Sequence, residues 1–80
     1  MCHNEVMATI TPVITISRRV GHTLKRLRNQ NHLTQEQLAQ KSGVERTTIS
    51  KIESGKRMVY LEKLNILAST LGKHISELFK

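Results

Sequence analysis

A single cysteine, Cys2, in an 80-residue chain excludes an intrachain disulfide and is the cysteine economy expected of a reducing cytoplasm. The four histidines, His3, His22, His32 and His74, include no i, i+4 pair with a third ligand nearby. With one thiol, no structural zinc site is expected, and neither is any other metal or cofactor. There is no aspartate, no tryptophan and no glycine-rich phosphate loop, and serine and threonine fall mostly at helix caps and exposed positions. A catalytic constellation needs a nucleophile with its base, or paired carboxylates, in a pocket; the expectation is a protein that is not an enzyme and has no small-molecule ligand. No apolar run reaches membrane-spanning length and no secretory pattern opens the chain, so a soluble, cytoplasmic protein without a membrane partner is expected. Only Tyr60 and Phe79 are aromatic. Single-strand and RNA modules stack bases on aromatic platforms, and two rings lying beyond the basic segment build none.

What the chain does have is positive charge, and it is concentrated. The net charge is +7. Residues 18–57 hold ten basic residues against Glu36, Glu45 and Glu53, and so carry the whole excess, while residues 1–17 contribute only Glu5. A localised cationic field calls for a polyanion, and with so few aromatics duplex DNA fits better than RNA.

Residues 1–17 are a separate zone, rich in β-branched side chains around Pro12 and without helical period. Two readings stay open for this N-terminal arm: a flexible segment, or a short edge strand with Ile10, Ile14 and Ile16 on one face, which proline confines to a sheet edge. From residue 18 to 80 the spacing predicts one all-α domain of five helices. Val20, Leu24 and Leu27 form the inner stripe of a helix over about 18–31, with Lys25, Arg26 and Asn29 opposite. Thr34 and Gln37 read as a capping box opening a second helix at Gln35 that buries Leu38 and Ala39. Gly43 can close it in a left-handed cap. A third helix, about Glu45 to Glu53, has Val44, Ile49 and Ile52 behind and Arg46, Thr47, Ser50 and Lys51 in front. Leu61, Leu64, Leu67, Ala68 and Leu71 mark a fourth helix, and Ser76 is placed to cap a last short turn.

Two short helices joined by a tight glycine-containing corner form a unit that braces one helix against a duplex and presents the second to base edges. The stretch Leu33 to Lys56, LTQEQLAQKSGVERTTISKIESGK, resembles the Cro/phage-repressor, or XRE, family of helix-turn-helix regulators, and the resemblance runs from about Val20 to Leu78. It implies a repressor-like DNA-binding domain in which the second and third helices are the helix-turn-helix. Position by position it implies base contacts from Arg46, Thr47, Ser50 and Lys51, phosphate contacts from Thr34, Gln35, Thr48, Lys56 and Arg57, and a structural ion pair between Arg28 and Glu53. An arginine also matches the O6 and N7 acceptors of guanine. Simpler roles stay open beside these: a phosphate clamp for Arg46, helix packing for Thr47, a solvated or phosphate-bound lysine at Lys51. Glu45 stands where the family often has a capping serine or threonine, and Met58, Val59 and Tyr60 replace its common Pro-Ser entry to the fourth helix.

The function this implies is sequence-specific regulation of transcription, as a repressor bound as a homodimer to an inverted-repeat operator. Expected dimer-interface residues are Met58, Tyr60, Ile75, Leu78 and Phe79. Three settings fit: a restriction-modification controller, a phage or mobile-element repressor, or an antitoxin that represses its own operon and grips a toxin protein, for which the N-terminal arm is the available extension.

Overall fold

A computed structural model describes the backbone of residues 2–56 and 61–79 and the side chains of 16–56 and 61–79. Its elements are α1 (Cys2–Gln30), α2 (Gln35–Ser42), α3 (Arg46–Glu53), α4 (Leu61–Thr70) and a 3-10 helix (Ile75–Phe79). The fifth helix expected from the sequence is therefore a 3-10 turn, and among the described residues there is no strand. The strand reading of residues 1–17 is corrected: residues 2–17 are helical and continuous with the rest of α1. An isolated strand leaves its backbone donors and acceptors unpaired. A helix pairs them within the segment, and once α1 is nucleated each added residue needs only its own φ and ψ fixed.

The core is built from the predicted stripes. Val20, Leu24 and Leu27 of α1 meet Leu38 of α2, Val44, Ile49 and Ile52 at α3, Leu64, Leu67, Ala68 and Leu71 at α4, and Leu78 of the 3-10 turn. All are buried, and full burial of each larger aliphatic side chain stabilises by about 1.5–3 kcal/mol before chain entropy is counted. Two expectations are corrected here. Leu61, assigned to the inner face of α4, is 63% exposed at that helix's first position. The last turn is capped by His74, whose Nδ1 accepts from the backbone N–H of Ser76 at 3.1 Å, and not by Ser76.

Local chemistry sets the corners that aim α2 and α3. Thr34 Oγ1 accepts from Gln37 N at 3.0 Å and Gln37 Oε1 accepts from Thr34 N at 2.8 Å, so the capping box closes in both directions. α2 stops at Gly43, whose φ of 78° lies in the left-handed region and whose N–H returns to the Ala39 carbonyl at 2.8 Å. L side chains rarely adopt that conformation, and this turn separates α2 from α3 by three residues. α1 ends differently. His32 takes the left-handed position (φ 58°), with Leu33 N bonded to Arg28 O and His32 N to Asn29 O, a Schellman arrangement usually given to glycine.

Candidate nucleic-acid interface

α3 is two-faced. Ile49 and Ile52 are sealed into the core, with Val44 just before the helix. Arg46, Thr47 and Lys51 are exposed, and Thr48 and Ser50 are half-buried. Arg46 and Thr47 thus stand exposed at the entrance of the helix, where a groove-inserted helix meets base edges. Lys56, beyond the C-terminus of α3, is exposed as well. Arg57, Met58 and Tyr60 lie outside the described residues.

Behind this face, α1, α2 and α3 are tied together by one polar network. Arg28 Nε donates to Glu53 Oε2 at 2.7 Å and Arg28 Nη2 to Glu53 Oε1 at 2.9 Å, a two-point pair between α1 and α3. Arg28 Nη1 donates to the Leu33 carbonyl at 2.7 Å. Both partners are nearly buried, with 10% and 3% of their side chains accessible. The Glu53 hydrogen bond, opposed by desolvation and aided by the same charge, raises the Arg28 pKa above its ordinary high value. For a raised pKa the stabilisation is complete below the unfolded-state value and is lost only as pH climbs through the folded one. The guanidinium thus stays charged across the whole neutral range.

Gln35, the first residue of α2, joins this network. Its Nε2 donates to Glu53 Oε1 at 3.1 Å, which fixes the direction of the amide. The second Nε2 hydrogen and the unsatisfied N–H groups of the first turn of α2 remain for an anion, where the helix dipole favours negative charge. Thr34, at the cap beside it, is exposed. The Gln35–Glu53 contact has no local signature, because it joins two helices across 18 positions. Gln35→Ala is expected to weaken binding of every duplex by a similar factor, read by titrating operator and random duplex side by side. A change in base preference would contradict a phosphate role.

Two further contacts lie on the front. The Arg46 Nε stands 3.7 Å from Glu36 Oε2 of α2. Thr47 Oγ1 stands 3.5 Å from Glu45 Oε2, the outer limit of hydrogen bonding. Glu45 is the N-cap of α3 but makes no side-chain cap bond, so its carboxylate is turned towards Thr47 and the α3 entrance keeps its backbone donors. A shallow cleft of about 420 Å³ lies between α2 and α3 here, lined among others by Glu36, Glu45, Arg46 and Thr47.

Of the residues expected at a dimer seam, Leu78 is corrected: it is fully buried within its own chain and has no side-chain surface to offer. Ile75 is half-buried and Phe79 is 42% exposed. Phe79 lines a groove of about 220 Å³ with Ile16, Arg19 and Val20 of α1.

A braced pair of short helices, the second polar in front and apolar behind, defines a helix-turn-helix DNA-binding domain. The family model "Helix-turn-helix" (HTH_3) matches residues 24–78, and the chain belongs to that family of XRE-type, DNA-binding transcriptional regulators. It is 43% identical over 65 residues to the control protein C.MunI of Mycoplasma sp., covering 80% of this chain and 88% of that one. To the control protein C.SmaI of Serratia marcescens it is 40% identical over 63 residues, covering 79% and 75%. Among solved structures, the restriction-modification controller protein C.AhdI from Aeromonas hydrophila superposes with a TM-score of 0.75 at 36% identity, over 79% of this chain and 96% of that one. No helix among the described residues is long and apolar enough to cross a membrane, and among the described side chains no histidines and glutamates gather into a metal-binding group.

Proposed function

We propose that this protein is a controller of restriction-modification genes that binds an inverted-repeat operator as a homodimer and represses by occupying it. The observation that carries this reading is the exposure of Arg46 and Thr47 at the entrance of α3, with the back of that helix locked in the core. Likeness to two control proteins and to the controller C.AhdI over most of their lengths supports the setting.

In this reading α3 enters the major groove. The Arg46 guanidinium donates to O6 and N7 of a guanine, and Thr47 meets a thymine methyl or a base acceptor. Ser50 and Lys51, about one turn on, read bases farther along. Gln35, Thr34, Thr48, Lys56 and Arg57 hold the flanking phosphates and set the register. One module of this size makes few contacts; two copies with their α3 helices about 34–36 Å apart meet successive turns of the groove. Exposed Ile16 and Phe79, which line one groove, give the end of the domain an apolar patch suited to the dimer seam.

Arg46→Ala is expected to cost about 1–3 kcal/mol of discrimination between operator and a duplex altered at the contacted guanine, with a much smaller loss on random duplex. Equilibrium titration of the three duplexes at one salt concentration measures both. Equal losses on all three would make Arg46 a phosphate contact and remove the base-reading role.

A further inference from the structure

We infer that Glu36 is a positioning residue for base reading: its carboxylate, on α2, holds the Arg46 guanidinium in the orientation that reads guanine. The inference rests on the DNA-reading role of Arg46 set out above and adds a determinant of specificity outside α3.

Carboxylates on a surface that meets phosphates are costly, because each repels the backbone it approaches. Residues 18–56 contain three: Glu36, Glu45 and Glu53. Each faces a side chain assigned to the DNA-binding face or its support. Glu53 holds Arg28 and Gln35, Glu45 faces the Thr47 hydroxyl, and Glu36 faces Arg46. Helix-dipole stabilisation accounts for an acid in the first turn of α2. It does not account for that acid meeting an arginine ten positions away, beyond the glycine corner.

The geometry is selective about which part of the arginine is taken. The closest approach is by Nε, at 3.7 Å. A guanidinium presents its donors on separate edges of a rigid plane. With the Nε side turned to Glu36, the Nη1–Nη2 edge is left for the paired acceptors of guanine. In the free protein the two groups are 51% and 63% exposed, and such a pair adds little to folding. Its value lies in binding. At 3.7 Å the contact is one of charge and not a hydrogen bond; a long side chain biased towards its bound orientation loses less freedom on docking, and the pair tightens as water leaves the groove.

The test uses the 80-residue protein and an operator obtained by selection from random duplexes, together with duplexes carrying each base pair of the selected site substituted in turn. Wild type, Glu36→Gln, Arg46→Ala and the double variant are titrated at one salt concentration, with thermal unfolding as the control for folding. Glu36→Gln is expected to reduce the substitution penalty about fivefold to tenfold at the one base pair that Arg46 reads. Penalties elsewhere and the unfolding temperature should stay as in wild type, and random duplex should bind as tightly or more tightly. The double variant should match Arg46→Ala. If Glu36→Gln tightens operator and substituted duplexes by one common factor while Arg46→Ala still loses discrimination, Glu36 is only a repelling charge and the inference is wrong. If Arg46→Ala leaves every penalty intact, the base-reading role itself fails, and Glu36 loses its function with it.

Discussion

Gly21→Ala is expected to lower the stability of the domain by about 2 kcal/mol net, the smallest side-chain change with a large effect on this fold. Gly21 lies on α1 where that helix crosses the end of α3. A Cβ built there collides with the carbonyl oxygen of Ile52 and comes within 3.1 Å of the Glu53 carbonyl oxygen. These are backbone atoms of the helix that presents Arg46, so no rotamer change relieves the clash and the two helices must separate. Overpacking of this kind costs about 3 kcal/mol at the upper end of its usual range, and the better helix propensity of alanine returns about 1 kcal/mol. At about 4–8 °C per kcal/mol for a domain of this size, the unfolding temperature should fall by roughly 10 °C. An unchanged midpoint would mean that α1 and α3 do not pack this closely.

Glu53→Ala should cost more, about 3–5 kcal/mol, because it strands the Arg28 guanidinium in a nearly dry site. For a domain whose total stability is about 5–15 kcal/mol, that is a large fraction. Denaturant unfolding measures it. Replacing both partners with apolar residues, Arg28→Met with Glu53→Leu, should recover much of the loss, since the uncompensated charge is gone. It should not recover DNA affinity in full, because Gln35 has lost the carboxylate that fixes its amide. Separate outcomes for stability and binding would show that the network supports the fold through Arg28 and the phosphate contact through Gln35.

The parts of this molecule that were legible in its sequence are those set by local chemistry. Thr34 and Gln37 sit three apart, and Gly43 follows the last turn; spacing alone fixes α2 and the corner after it. The buried faces of α1, α3 and α4 were visible because helical period sorts Val20, Leu24, Ile49, Ile52, Leu64 and Leu67 onto inner stripes. What failed depended on tertiary context. Leu61 fits the period of α4 but stands exposed at its first position, while Leu64 in the same turn is buried. Leu78 and Phe79 are adjacent and both apolar, and only the packing of the 3-10 turn decides which one points inward. Residues 2–17 have a β-branched composition and a proline, so no local rule announces the helix they join. His32 adopts a conformation that favours glycine, and nothing in its neighbours signals it. The contacts of Glu36 with Arg46 and of Gln35 with Glu53 cross between helices, where no sequence period operates.

Base reading by the exposed front of α3 is tested by selecting bound sequences from random duplex DNA with the wild-type protein and with Arg46→Ala in parallel. Wild type should enrich an inverted repeat whose half-sites are about one helical turn apart, or a multiple of that. Arg46→Ala should enrich the same repeat with one symmetry-related base pair in each half-site no longer specified. Recovery of no common motif by the wild type, or of an identical motif by both proteins, would contradict base reading by α3.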